Sequence, residues 1–534
     1  MSGPVKEGRS LMRSAGVISA FTFLSRILGL VREQVFAALL GAGSGPYADA
    51  FLAAFRIPNL LRDLFAEGAL SAAFVPVYSR VMVKEGRAAA DRLASRVLTV
   101  LAAVMAVLML LGFAFTAPLV HAITPGFDAI PGKADTTVLL TRVMLPFLPL
   151  VSFAAVAMGM LNAHERYSMP ALAPALFNVV AIAWGGLLWW MGFPPAEVAV
   201  GWAVGTLLGG AAQFLVQLPP LWRDGWRPGL DWAPSDPALR SMLGLMAPAT
   251  VGLAAVQVNI FVSTIFASQE QGAIAWLQYA FRLLYLPIGV FGVAVGTIAT
   301  TGLARRAAEG DLDGLRDTLG RSLRTLAFLT IPATAGLMVL SEPIIRLLFE
   351  RGVFTPDDTR HTAAALTLYA TGLLFYTGVK VLAPAFYSLG TPRVPLLASA
   401  TAVATNLVVI VLLYPLMTFR AIALGTALGS VANCLVLIGV FEARRGGLVR
   451  QIATGSVARM VLAALAMSAA CATVARVLAS ELGTRGIVAN LVVGLLPVTV
   501  GVALYVGLCV ALRIPEAREL LAVLHRRRGA ASHP

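Results

Sequence analysis

The amino-acid sequence predicts an all-α polytopic membrane protein with 14 transmembrane helices, built as two parallel six-helix repeats plus a C-terminal helix pair. Three observations predict it: an apolar composition, fourteen separate apolar runs, and a self-similarity at an offset of 220–228 residues. Of 534 residues, 58% are hydrophobic and 13% charged, with a mean hydropathy of +0.82. Soluble domains carry about a quarter charged residues. A bilayer core of about 30 Å needs roughly 20 apolar residues per helix, which each run supplies.

Taken in order, residues 1–13 are a basic N-terminal segment, "MSGPVKEGRSLMR". The apolar run that follows is too long for a signal-peptide core and lacks a cleavage site, so no cleavable signal is expected. A first lobe over 14–222 holds runs centred near 28, 65, 106, 150, 180 and 208. A second lobe over 236–446 holds runs near 255, 287, 332, 373, 404 and 430. Residues 453–513 carry the last two, near 467 and 500, and 514–534 form a basic tail. With the N-terminus in the cytoplasm, 27 Lys and Arg fall in inner segments against 5 in outer loops. The positive-inside rule then places both termini in the cytoplasm. The same bias accounts for a pI near 10.3 without any nucleic-acid partner; the tail "HRRRGAASHP" reads as a solvated end facing membrane lipids. Cys434, Cys471 and Cys509 lie inside apolar runs with no metal-like spacing and read as buried small residues.

The repeat is carried by specific matches. "AVGTLLGGAAQFLV" (203–216) resembles "ALGTALGSVANCLV" (423–436). The "AFR" ending at Arg56 matches the one ending at Arg282, and Pro118 and Pro170 have counterparts in Pro343 and Pro395. Six helices is an even number, so the halves share one orientation. Parallel repeats of this kind occur in alternating-access transporters, with the substrate site expected between the halves near the bilayer midplane.

Charged residues inside the spans supply candidate chemistry. Arg26, Arg32, Arg56, Arg62, Arg282 and Lys380 lie in apolar runs. Each costs about 3 kcal/mol at mid-span, so six cost about 18 kcal/mol, which a structural role alone rarely justifies. Arg26 and Arg32 are six residues apart, as are Arg56 and Arg62, which puts each pair about 120° apart on an ideal helix. A bend at Gly29 and another at Pro58 would turn both members toward one cavity. Acids at membrane depth, Glu33, Asp49, Asp63 and Glu67, sit in or beside the first two helices. Arg62 with Asp63 or Glu67, and Arg32 with Glu33, are placed to pair. Basic groups remain in excess, so the cavity should favour an anion, and a guanidinium fork suits phosphate oxygens. Lys380 is open between lining the cavity and anchoring at the interface.

At these residues the sequence resembles a known family. "FLSRILGLVREQVFAALLGAG", "ADAFLAAFRIPNLLRDLFAEGALSAAFVPV", "LNAHERYSMPALAPALFNV" and "VKVLAPAFYSLGTPRVP" closely resemble the MurJ (MviN) lipid II flippases, of the multidrug/oligosaccharidyl-lipid/polysaccharide exporter superfamily. The resemblance runs from about residue 10 to 515. It implies a transporter of the bacterial cytoplasmic membrane that moves lipid II, an undecaprenyl-pyrophosphate-linked disaccharide-pentapeptide, outward for peptidoglycan synthesis. It also implies cavity arginines at Arg26, Arg32, Arg62 and Arg282, functional acids at Asp49 and Glu67, and a polyprenyl-tail groove in the last helix pair. No cofactor is implied; the membrane potential or an ion gradient is the expected energy source, and the cell-wall synthesis machinery a possible partner. Two departures stand out: Phe281 and Tyr285 occupy places where relatives carry acids beside Arg282, and Glu33 stands where aspartate is common.

Rival readings are a flippase for another polyprenyl-pyrophosphate-linked saccharide and a cation-coupled drug antiporter of the same fold. The arginine excess argues against the antiporter. A membrane glycosyltransferase or ligase would need a catalytic carboxylate or metal cluster, whereas "TPDDT" (355–359) and His121 near "TPGFD" read as loop or helix-cap residues.

Overall fold

In the computed structural model the described residues are 4–62, 70–483 and 486–519, and their regular structure is helical throughout. The order is α1 (Pro4–Leu40), α2 (Tyr47–Leu61), α3 (Ser71–Glu85), α4 (Arg87–Ile123), α5 (Lys133–Met144), α6 (Phe147–Ala163), α7 (Ser168–Met191), α8 (Pro195–Leu215), α9 (Leu218–Arg223) and α10 (Pro237–Ala267). Then come α11 (Ala273–Pro287), α12 (Val293–Ala308), α13 (Leu312–Val339), α14 (Ser341–Phe349), α15 (Pro356–Ala370) and α16 (Leu373–Ser388). The chain ends with α17 (Arg393–Met417), α18 (Phe419–Arg445), α19 (Leu448–Ile452), α20 (Gly455–Leu482) and α21 (Ile487–Ala511). Among the described residues ten helical runs are long and apolar enough to cross a bilayer, or eleven if α15 and α16, bent by 43° at their junction, make one span. The expected span near 65 includes residues outside that description, and those near 28 and 255 run through α1 and α10, where some side chains are not described.

The chain forms two compact units. Unit 1 comprises Met1–Ala275 with Arg351–Phe354, and unit 2 comprises Trp276–Glu350 with Thr355–Pro534. In unit 1, α1 lies along α7, α7 along α8, and α2 along α5, while α3 packs on α4 and α6. Phe74, Tyr78, Leu93, Val97, Phe147 and Leu221 are buried together at its centre. The helix α10, expected from the repeat as the start of the second lobe, packs on α3 and α4 of unit 1. Leu239 and Met242 enter that core. Its first turn is also tied down electrostatically: Asp236 accepts from the backbone N–H groups of Ala238 and Leu239, and Arg96 on α4 bridges Asp236 (2.6 Å) and Asp231 (2.8 Å). A side chain that caps a helix while paired to a neighbouring helix fixes both position and start.

In unit 2, α12, α13, α16 and α18 enclose Leu303, Leu319, Leu326, Leu382, Phe386 and Phe441. The pair α20 and α21 packs on α13 through Met460, Met467 and Tyr505. Cys434, Cys471 and Cys509 are free and buried, as their apolar surroundings suggested. Thr355 and Asp358 of "TPDDT" form a reciprocal capping box at the start of α15, satisfying two backbone donors. The glycine-rich stretches that matched across the repeat lie on α8 and α18, each the second helix of a closely packed pair. A Cβ at Gly209 would lie 2.7 Å from the Phe177 ring of α7, and one at Gly429 would lie 2.7 Å from the Ala402 carbonyl oxygen of α17. Only glycine allows those approaches.

Candidate functional site

The six basic residues singled out at membrane depth divide between the units: Arg26, Arg32, Arg56 and Arg62 in unit 1, Arg282 and Lys380 in unit 2. On α1, the helix is continuous through Gly29. Gly29 is buried and faces the Asn178 side chain of α7, whose amide donates to the Ser25 carbonyl (3.1 Å). A Cβ at Gly29 would lie 3.7 Å from the Asn178 amide nitrogen, an ordinary contact, so the approach of α1 to α7 does not depend on the glycine. Arg26 is exposed and Arg32 half-buried toward α7.

Arg32 is the best-defined of these groups. Its Nη2 donates to Glu33 Oε1 at 2.7 Å, and its guanidinium carbon lies 5.2 Å from the Phe177 ring centroid. Glu33 is buried, with 6% exposure. An arginine stacked on an aromatic ring and pinned at one corner keeps its charge and a fixed plane. Its Nε and Nη1 make no hydrogen bond among the described residues, so the planar fork has donors left for an oxyanion.

Arg56 on α2 donates to the Thr264 hydroxyl of α10, and Thr264 in turn donates to the Ile260 carbonyl. Within unit 1 this ties α2 to α10. Arg62, just past the end of α2, is half-buried. Glu67 and Asp63 lie outside the described residues. In unit 2, Arg282 is half-buried on α11, while Lys380 is exposed on α16. Phe281 and Tyr285, which stand where the resemblance implies acids, lie in an aromatic cluster. Phe281 meets Tyr369 edge-on at 5.4 Å and Tyr376 at 6.5 Å, with Tyr285 at 6.2 Å.

Asp49 is placed differently from a cavity acid. It is fully buried, and Lys133 Nζ of α5 donates to its Oδ2 at 2.9 Å. The backbone N–H groups of Gly272 and Ala275 donate to the same carboxylate at 2.7 and 2.9 Å. Those groups open α11, so Asp49 caps that helix from another part of unit 1, where the positive end of the helix dipole favours an anion. Lys133 also sits 4.2 Å from the Phe127 ring centroid. The sequence offered Lys133 only as an outer-loop charge, and nothing local to either residue signals the pair.

A second polar cluster escaped the sequence reading. His164, just past α6, is 3.0 Å from the Tyr78 hydroxyl and 3.4 Å from Asp224; Tyr78 donates to Asp91 at 3.1 Å, and Arg166 pairs with Asp224. Its members are spread from 78 to 224. His121, read as a cap, pairs with Asp128 at 2.8 Å.

The helical arrangement defines an exporter-type membrane fold. A solved "Inward-facing conformation of a multidrug resistance MATE family transporter of the MOP superfamily" matches with a TM-score of 0.66 at 17% identity, covering 83% of this chain and 99% of that one. The structure described as "Lipid II flippase MurJ, inward closed conformation" matches with a TM-score of 0.75 at 25% identity, covering 94% of this chain and 99% of that one. A family model, "Lipid II flippase MurJ", matches residues 36–494. "Probable lipid II flippase MurJ" of Rhizobium meliloti (strain 1021) is 35% identical over 86% of each chain, and "Lipid II flippase MurJ" of Burkholderia cenocepacia is 35% identical over 80% of this chain and 83% of its own. The chain belongs to the MurJ family of lipid II flippases. It is a multi-pass inner-membrane transporter, not an enzyme.

Proposed function

We infer that this chain carries lipid II from the inner to the outer leaflet of the cytoplasmic membrane by alternating access. The observation that carries the reading is the family match over residues 36–494, joined to relatives aligned along most of both chains. In finer detail we propose fourteen spans, with lobes at 14–222 and 236–446 and the pair within 453–513 forming the groove for the polyprenyl tail. The equivalent close-packed glycines Gly209 and Gly429, 220 residues apart, support the repeat. Both termini are taken as cytoplasmic from the charge bias.

Arg26, Arg32, Arg62 and Arg282 are proposed to hold the pyrophosphate while the lobes rock. Arg32 has the strongest support, because its orientation is set before any anion arrives. Glu33 orients Arg32, Arg56 fastens α2 to α10, and Asp49 fixes the start of α11; Glu67 and Lys380 complete the proposed set. The membrane potential or an ion gradient is the proposed energy source, and the cell-wall synthesis machinery the proposed partner.

The test is depletion of the native flippase and rescue with this chain, read by accessibility of lipid II at the outer surface. Rescue by the unaltered chain is expected, with Arg32→Ala inserting normally yet failing to flip. Normal flipping by Arg32→Ala would remove Arg32 from the site, and failure of the unaltered chain to rescue would count against the function.

A further inference from the structure

Away from the arginines of the transport path, unit 2 holds a cavity of about 380 Å³ where α13, the start of α20 and the helical turn after α21 converge. Arg321, Arg324, Arg459, Thr454, Glu516 and Glu519 line it. Ligand sites begin at about this size. The charges in it are unevenly matched. Arg324 donates to Glu516 Oε1 at 3.1 Å and to the Gln451 carbonyl at 2.7 Å. Arg459 bonds only the backbone carbonyls of Gly455 and Leu512, and Arg321 only that of Asp317, among the described residues. Two of the guanidinium groups lining the cavity thus make no ion pair among the described residues.

The start of α20 adds to this. Thr454 occupies the capping position with an extended backbone, but its hydroxyl lies 2.9 Å from that of Ser456 and caps no backbone N–H. A 28-residue helix therefore presents its positive end to the cavity uncapped by a side chain. The opposite sign is present too. Glu516 has a side chain only 9% exposed, and its Oε2 is buried with no hydrogen-bond partner among the described residues. A carboxylate oxygen in that position calls for a donor. Exposed Glu519 lies one helical step beyond. A simple anion would satisfy the arginines and leave Glu516 orphaned. A molecule with a phosphate and an ammonium a few bonds apart satisfies both.

Beside the cavity, α20 exposes Val461, Leu462 and Leu465 within two turns of Arg459, and Val510 near the end of α21 and Leu512 just past it are exposed. Both helices are long and apolar enough to span a bilayer, so the cavity lies at the end of two spans, where headgroups sit. We propose that this cavity binds the headgroup of a zwitterionic aminophospholipid. Arg321, Arg459 and the α20 N-terminus take the phosphodiester, and Glu516 with Glu519 takes the primary ammonium.

The test uses the full chain purified in detergent, stripped of lipid, and titrated with phosphatidylethanolamine, phosphatidylcholine or phosphatidylglycerol while bound lipid is counted by native mass spectrometry. Phosphatidylethanolamine should bind about tenfold or more tighter than phosphatidylcholine, whose quaternary ammonium has no N–H to give. It should also exceed phosphatidylglycerol, which has no cation. Glu516→Gln should erase these preferences, and Arg321→Gln with Arg459→Gln should weaken all three lipids. Equal binding of the three by the unaltered protein overturns the proposal, and so does a preference that survives Glu516→Gln. Free O-phosphoethanolamine competing as well as the lipid also overturns it, since that would mark a site for a soluble phosphate ester. If Glu516→Gln does not fold, the comparison of lipids on the unaltered protein decides by itself.

Discussion

Lys133→Met removes the cation from a carboxylate that solvent does not reach. Both side chains are fully buried and 2.9 Å apart, and stripping one partner from such a pair costs about 3–5 kcal/mol because the other charge is left uncompensated. Asp49 would keep two charge-assisted bonds from the N–H groups of Gly272 and Ala275, so Lys133→Met belongs near the lower end, at about 3 kcal/mol. Asp49→Asn leaves the ammonium with the Phe127 ring, worth about 2 kcal/mol when desolvated, and weakens the cap on α11. Its cost belongs near the upper end, about 4–5 kcal/mol. The double variant carries neither charge and should be more stable than the two single losses added together, by about 2 kcal/mol. Unfolding free energies of the four proteins in mixed micelles measure this. Additivity to within about 0.5 kcal/mol would mean that the two charges are not coupled and would refute the reasoning.

Three further outcomes are expected. At Gly429 an added methyl meets the Ala402 carbonyl oxygen at 2.7 Å, which cannot swing aside, whereas at Gly209 its closest neighbours are in the Phe177 ring and the Phe177 carbonyl oxygen stands farther off at 3.1 Å. Gly429→Ala should therefore cost more than Gly209→Ala, within an overpacking range of about 1–3 kcal/mol, and the reverse order in thermal unfolding would show that α17 yields more easily than Phe177. Burial, then the Arg87 charge, holds the His164 imidazole below its ordinary pKa, against the opposing pull of Asp224 and Asp91. The folded chain thus prefers neutral His164; that contribution is complete above about pH 6.5 and drains away as the pH falls below it. Melting temperatures between pH 7.5 and 5 (roughly one unit either side of that value) should fall less steeply in His164→Gln, and an unchanged slope would exclude His164 as the cause. For Asp236, burial raises the carboxyl pKa, but Arg96 and the N–H groups of Ala238 and Leu239 outweigh it, leaving the carboxyl below its usual range. Arg96→Gln should speed hydrogen exchange at the start of α10 and spare α17; equal exchange in both proteins would show that the ion pairs do not anchor that turn.

What could be read in advance follows the range of each signal. Apolar runs and glycine-rich stretches are local patterns, so spans such as α4, α7, α8 and α17 were placed from sequence, and "TPDDT", read as loop or helix-cap residues, proves to hold the capping box of α15. The Arg32–Glu33 pair was legible because its members are neighbours. Gly29 shows the limit of a local pattern: a glycine in a span can bend a helix or let another approach, and the sequence does not distinguish the two. Asp49 and Lys133 are 84 residues apart, and His164 meets Tyr78 and Asp224 from two distant segments; no local pattern encodes such meetings. The assignment of α10 to unit 1 rests likewise on Arg96, far away in α4.

The energy source is open to a sharper argument than the family alone provides. A pyrophosphate diester carries roughly two negative charges, and with the cell interior negative its outward passage gains about 2.3 kcal/mol per charge per 100 mV, about 4.6 kcal/mol in all. At about 1.4 kcal/mol per tenfold, that biases the leaflet distribution by about a thousandfold. The gain survives only if the protein does not carry compensating cations outward with the substrate. Arg32 is paired with Glu33, so its movement would transport little net charge, and Arg26, exposed with no partner among the described residues, leaves the gain intact as long as it stays in place. In proteoliposomes under an inside-negative potassium diffusion potential, with no pH or sodium gradient, outward flipping should therefore rise steeply with voltage. If flipping ignores the voltage and follows an imposed proton or sodium gradient instead, cations move with the substrate, and the arginines cannot be stationary holders of its charge.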